Sequence, residues 1–312
     1  MITDLVKRTC KEIAVQAKHV KINEAKIDEF VQKIKDKPVY LNFFDFPEHI
    51  GKGEALEQQI SYVFVLDALN FCFWPSDWEY GDLAKALKEA YATNPEFLNP
   101  TFLEKISLEE FKKLVFKDQD FPLTEERHRA VQEIGSKTVK FFEGKFSNIL
   151  KRAEYDAQNL LELVAATFLM FQDHCIYKGK QVYFYKRAQI LVGDLWGMLK
   201  ELDDPGIGIK NIEQLTCFAD YRIPQIMVHD GILEYSDELW QKIDGKEVLL
   251  YGSEEEVEIR GCMVTAVEII RDKLREVGVL WTAIEVDWTL WQLGEEQRFD
   301  IKPHHRVLSI FY

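Results

Sequence analysis

Apolar residues recur along most of this chain at three- and four-residue spacing, with polar residues between them, so the pattern predicts helices nearly throughout. Residues 3–18 and 25–35 read as amphipathic helices, the second with Asn23 and Asp28 near its start. The stretch 54–73, EALEQQISYVFVLDALNFCF, grows more apolar as it proceeds and predicts a buried helix. Shorter helices are expected over 82–92 and 108–117. After Thr124, EERHRAVQEIGSKTVKFFEG predicts a long helix with acids in its first turn and Gly144 at its end, an order that suits the helix dipole. Another helix is expected over 157–171. The period breaks at 177–185, YKGKQVYFY, where a Lys-Gly-Lys turn flanked by aromatic and β-branched residues predicts a small hairpin. Helical spacing returns over 186–200, 222–232, 236–243, 254–277 and 283–294.

No linker of low complexity, step in composition or fixed-period repeat divides the chain. The expectation is one predominantly α-helical domain over residues 1–312, with two intimate lobes as the variant. Glycine and proline are sparse except in LDDPGIGIKNIEQL (202–215). Its turn chemistry is expected to join two helices, and its GIGIK core resembles the hairpin of a helix–hairpin–helix unit.

Composition narrows the setting. Hydrophobic residues make up 47 % of the 312, enough for a large core. No apolar run reaches the length of a membrane span. The first residues, MITDLVKRTCKEIAV, are charged and amphipathic and lack the apolar core of a signal peptide. Cys10, Cys72, Cys175, Cys217 and Cys262 are scattered, without the spacing of a disulfide framework or a structural zinc site. A reduced, cytoplasmic protein is expected. The net charge of −14 speaks against a wide nucleic-acid footprint, which needs a basic stripe. One phosphate, by contrast, needs only a few cations.

Candidate chemistry concentrates in YFYKRAQILVGDLW (183–196) and CFADYRIPQ (217–225), where Lys186, Arg187, Asp194, Asp220 and Arg222 interrupt apolar residues. A buried carboxylate needs a partner or a task. The bland alternative pairs Asp194 with Arg187 and Asp220 with Arg222 as structural salt bridges. Further on, AIEVDWTLWQLGEEQ (283–297) carries Asp287, Trp288 and Trp291. Asp287 and Trp291 share a helical face, as carboxylate and indole for a ring-bearing ligand or as a capping Asp beside a packed Trp. The rings of LNFFDFPEHI and LNFCFWPSDW read mainly as core. His49 falls in a loop after Pro47, free to meet a small polar ligand or simply exposed. ERHR (126–129) reads as a solvated, ion-paired helix face. The usual nucleophile-elbow, P-loop, zincin and dinucleotide motifs are absent, and no metal ligands are assigned.

VLDALNFCFW (65–74), FYKRAQILVGDLW (184–196), FADYRIPQ (218–225), EVEIRGC (256–262) and VDWTLW (286–291) resemble the queuosine salvage protein family, in the right order over nearly the whole chain. The main departure lies around 76–85, which reads as surface. The resemblance implies a helical fold similar to helix–hairpin–helix DNA glycosylases. It also implies release of queuine, a 7-deazaguanine base, from queuosine 5'-monophosphate, with no metal or organic cofactor. On it, Asp220 is the first choice for the catalytic Asp, with Asp194 and Asp287 either as the other catalytic candidates or as holders of the ribose, the cyclopentenediol or the cationic amine of the base. His49, Phe218 and Trp291, with Trp288 beside them, become contacts to base and sugar. Lys186 and Arg187 become phosphate ligands, and Tyr221 and Arg222 complete the shell. A base-excision module on the same hairpin and a non-catalytic helical interaction protein remain the competing readings.

Overall fold

In the computed structural model, which describes residues 1–39, 43–202, 206–298 and 300–312, the chain opens with two amphipathic helices, α1 (Ile2–Gln16) and α2 (Glu24–Ile34), joined through β1 (Val20–Ile22). The Asn23 side chain accepts the Lys26 N–H and caps α2. In α3 (Leu56–Leu69) every residue from Gln59 to Leu69 is buried, because a helix with no polar face has nowhere to sit but inside. It stops short of the expected residue 73: Asn70 leaves the helical region with a ψ of 70°, and Cys72 then takes a left-handed φ of 39°. Around it follow α4 (Tyr80–Thr93), α5 (Pro100–Lys105), α6 (Leu108–Phe111) with a π-helical turn at Lys112–Phe116, α7 (Thr124–Phe141), α8 (Ser147–Arg152) and α9 (Ala157–Thr167). The expected hairpin is β2 (His174–Tyr177) paired antiparallel with β3 (Lys180–Tyr183). Lys178 and Gly179 turn it with φ of 47° and 79°, the backbone a tight hairpin needs.

The second half begins with α10 (Lys186–Glu201), which packs along α3. An extended stretch, residues 215–221, leads to α11 (Arg222–His229). Then come β4 (Leu233–Tyr235), α12 (Asp237–Asp244), β5 (Val248–Leu249), α13 (Glu254–Glu276), α14 (Ala283–Gln297) and β6 (Arg306–Val307). The strands beyond the hairpin make two small pairs, β1 with β4 antiparallel and β5 with β6 parallel. α13 carries Glu254, Glu255 and Glu256 in its first turn and Lys273 and Arg275 in its last, aligned with its dipole. It supports α1, α2, α11 and α14. The fold is predominantly α-helical. Among the described residues no helix is long and apolar enough to cross a membrane.

Two expectations change. The loop after α10 does not run straight into another α-helix: one 3-10 turn, Ile212–Gln214, and the extended stretch intervene. Asp203, Asp204 and Pro205 of its turn lie outside the described residues. ERHR is not a solvated face either. Arg129 faces water beside Glu125 and Glu126, but Arg127 is fully buried. It donates to the carbonyls of Pro122, Phe71 and Cys72, and lies over the Phe71 ring with its guanidinium carbon 4.1 Å from the centroid. Arg127 therefore ties α7 to the loop that ends α3.

Candidate active site

That loop faces a cavity of about 630 Å³, bounded also by the first turn of α4, by α10, by residues 218–222 and by α14. Its walls bring together His49, Lys186, Asp194, Phe218, Asp220, Tyr221, Arg222, Asp287, Trp288 and Trp291, from four separate stretches of sequence. Arg187 is not among them. One residue from Lys186 on the same helix, it points away from the cavity, donating to the carbonyls of Ala68 and Met170 between the rings of Phe71 and Phe171. It is a structural pin between α10 and α3, and the expectation that it binds phosphate is withdrawn.

The carboxyl groups differ in how they are held. The half-buried Asp220 heads α11: its Oδ1 accepts the backbone N–H groups of Arg222 and Ile223, each at 2.9 Å. Burial raises its pKa, while Lys186 and those two N–H groups oppose the rise. Asp287 lies in the second turn of α14. Thr282 caps that helix, with Glu285 closing a capping box, so Asp287 is not the cap. Its Oδ2 accepts the Phe218 N–H at 2.9 Å instead. Burial, and then the nearby Asp220, push its pKa well above the carboxylate range. Burial raises Asp194 to about 7 against the pull of Lys186. Lys186 itself is lowered by burial and supported by Asp220 and Asp67, and its Nζ donates to the Asn70 carbonyl at 3.2 Å. Neither structural salt bridge forms: Arg187 meets carbonyls, and the Arg222 guanidinium meets Glu79 at 2.5 Å and Glu295 at 3.9 Å.

His49 is buried, not a loosely placed loop histidine. Its Nδ1 lies 2.8 Å from the Phe43 carbonyl and its Nε2 2.9 Å from the Tyr80 hydroxyl. A carbonyl only accepts, so Nδ1 carries the proton and Nε2 accepts from Tyr80. Burial lowers its pKa to about 4, which leaves the ring neutral at physiological pH. Phe43, Phe46 and Tyr80 surround it, and Trp291 approaches Phe46 and Tyr80 with centroids 6.3 Å away. On the other wall Trp288 stacks on Trp196 and meets Phe218 edge-on. α10 passes so near Phe218 that a Cβ on Gly193 would fall 2.7 Å from its ring.

Several wall residues escaped the sequence reading. Glu79, Tyr80, Gly81, Asp82 and Lys85 line the cavity, so the stretch read as surface forms its outer rim. Asn70 and Glu295 also line it. Asp67 stands one layer behind, fully buried. The signal for Asp67 was present: it is the one acid in the apolar run ISYVFVLDAL, as Asp194 is in its own.

The sequence model of the queuosine salvage protein family matches residues 49–312. A Dictyostelium discoideum protein named queuosine 5'-phosphate N-glycosylase/hydrolase is 40 % identical over 321 aligned positions, covering 99 % of this chain and 98 % of the relative. A Bos taurus protein of that name is 37 % identical over 82 % of each chain. A Sphaerobacter thermophilus one is 34 % identical over 97 % of this chain and 96 % of its own. Matched along nearly its full length by such relatives and by the family's own sequence model, the chain belongs to the queuosine salvage protein family.

Proposed function

We propose that this protein hydrolyses the N-glycosidic bond of queuosine 5'-monophosphate and releases queuine for salvage into tRNA modification. The observation that carries the reading is the convergence of Asp194, Asp220 and Asp287 with aromatic walls in one cavity large enough for a nucleotide. The relatives' shared name supplies the substrate.

Breaking a ribosyl C1'–N bond leaves a cation-like sugar and an anionic base. Asp220 is the group to face that sugar. Two backbone N–H groups hold one of its oxygens, and Lys186 favours its charged form, so a carboxylate is available to stabilise the oxocarbenium and take a proton from the attacking water. A 7-deaza base has no N7 to protonate, so its departure relies on hydrogen bonds elsewhere and on acids such as Asp194. Phe218 and Trp291 offer faces for the base, with Trp288 and His49 behind them. Asp287 fixes Phe218 through its N–H. The likeness to helix–hairpin–helix glycosylases enters through Asp220 at the head of α11, a position resembling their catalytic Asp.

Lys186 already sits among carboxylates, so the 5'-phosphate is better served by the cations of the outer wall, Lys85, Arg222 and Arg298, with Tyr221 beside them. The acidic chain suits a small nucleotide rather than stable binding of intact tRNA. Five free thiols suit the cytoplasm. The test is chromatography for free queuine from queuosine 5'-monophosphate, run beside the unphosphorylated nucleoside and intact tRNA. Release from the monophosphate above both others is expected; release from none of them overturns the reading.

A further inference from the structure

The stretch EVEIRGC (256–262) in α13 supplies no group to this chemistry. Its Arg260 is fully buried, and so are the two acidic side chains that meet it, Asp173 and Glu256. The guanidinium takes Asp173 as a fork, with Nη1 3.1 Å from Oδ1 and Nη2 on Oδ2. Nη1 also reaches Glu256 at 3.3 Å. The guanidinium carbon lies 4.0 Å from the ring centroid of Phe184 and 4.1 Å from that of Tyr312, a residue of the cavity wall. The Nε donates to the Ala219 carbonyl at 2.9 Å.

Ala219 immediately precedes Asp220, on a stretch that needs such a hold. Residues 215–219 are buried and run extended with no strand beside them among the described residues, so side chains must meet their backbone groups. Gln189 of α10 accepts the Thr216 N–H at 2.8 Å, and Asp287 of α14 accepts the Phe218 N–H at 2.9 Å. Arg260 of α13 is the last hold before Asp220 heads α11. The other end of its fork reaches the start of α10: the Asp173 Oδ2 that meets Nη2 also accepts the Lys186 backbone N–H at 3.0 Å. One guanidinium is thus a single step from both Asp220 and Lys186.

We propose that Arg260 is a positioning residue of the reaction, fixing Asp220 through the Ala219 carbonyl and Lys186 through Asp173. The inference rests on the proposed glycosidase reading, in which Asp220 faces the sugar. A misplacement of about 1 Å, made far from the chemistry, can cost on the order of 10²-fold in rate. Arg187 supplies the contrast. It is as deeply buried, but the carbonyls it holds, those of Ala68 and Met170, adjoin no residue of the cavity wall.

The test is Arg260→Lys beside Arg187→Lys. Lysine keeps the charge near Asp173 and Glu256 but has no fork, so one ammonium cannot hold Asp173 and the Ala219 carbonyl together. In Arg260→Lys, kcat per folded molecule should fall on the order of 10²-fold, with KM unchanged because Asp287 still holds Phe218. Arg187→Lys should lower the thermal midpoint and keep kcat. Asp173→Asn, which still accepts the Lys186 N–H, should show the same split more weakly, and it decides the matter if Arg260→Lys does not fold. Three results overturn the proposal: unchanged kcat in the folded variant, an equal fall in Arg187→Lys, or a KM that rises as far as kcat falls. Crystal structures read the geometry without turnover: in Arg260→Lys, or in Asp173→Asn, the Ala219 carbonyl and the Asp220 carboxyl group should be displaced from their wild-type places. Asp220 unmoved overturns the proposal. Absence of queuine release by the wild type overturns the proposed function, and the crystal structures still decide whether Arg260 places Asp220.

Discussion

The Asp287 carboxylate on α14 accepts the backbone N–H of Phe218 at 2.9 Å, so one wall of the cavity is hung from another. Removing the acceptor leaves that buried N–H unpaired, at a cost of roughly 1–3 kcal/mol. Asp287→Ala should lower the thermal midpoint and raise KM. Asp287→Asn, which keeps an acceptor oxygen, should recover most of the stability. Equal midpoints for the two variants, read by calorimetry, would remove the anchoring role.

Asp220→Asn should leave the fold intact, because an amide oxygen can still accept from Arg222 and Ile223. Turnover should fall on the order of 10²–10³, the usual effect of losing one electrostatic partner of the transition state. Single-turnover release of queuine is the measurement, and a near-normal rate would transfer the role to Asp194 or Asp287.

Arg187 and Lys85 should separate stability from phosphate recognition. Arg187→Lys loses two charge-assisted bonds to carbonyls, each worth roughly 1.5–3 kcal/mol, so the midpoint should drop with no change in the preference for the monophosphate over the nucleoside. Lys85→Ala, on an exposed part of the rim, should shrink that preference and leave the midpoint alone. The ratio of kcat/KM for the two substrates reads both.

Gly193→Ala puts a methyl group where the Phe218 ring now lies, 2.7 Å from its Cζ. Overpacking of this kind costs about 1–3 kcal/mol. The ring is the part that can give way, so KM should rise more than the midpoint falls. An unchanged KM would mean that Phe218 does not contact the base.

Asp194 should leave a signature in the pH dependence of stability. Its pKa is about 7 in the folded protein and about 3.9 in an unfolded chain. Between those values the folded state holds a proton that the unfolded state has lost. Stability from this group is therefore complete below pH 4 and declines as pH rises to 7, by about 1.4 kcal/mol per unit at most. Asp194→Asn lacks that decline. Denaturation midpoints of wild type and variant should lie closest near pH 4 and diverge, in the variant's favour, up to pH 7.

The helices were legible where period and caps agree. Asn23, Ser253 and Thr282 cap their helices as their residue types suggest, and α13 and α14 follow the expected spacing. The end of α3 was not legible, because NFCF continues an apolar run while the backbone already leaves the helix at Asn70. Arg127 was misread although the signal existed: it shares a face with Ala130, Val131 and Ile134, all buried. Arg187 was misjudged because adjacent residues on a helix point about 100° apart, and sequence alone does not say which of Lys186 and Arg187 faces the cavity. His49 and the rim at Glu79–Lys85 depend on contacts between distant segments, which no local pattern encodes.

The two buried arginines that grip Phe71 have a consequence for the medium in which the protein works. They are held by neutral carbonyls and aromatic faces, so dissolved salt has little to screen at the back of the cavity. The rim is the opposite case: Arg222 is shared between Glu79 and Glu295 near solvent, and that arrangement weakens as ionic strength rises. Added electrolyte therefore acts on how a nucleotide enters and leaves, and spares the packing that backs the cavity wall.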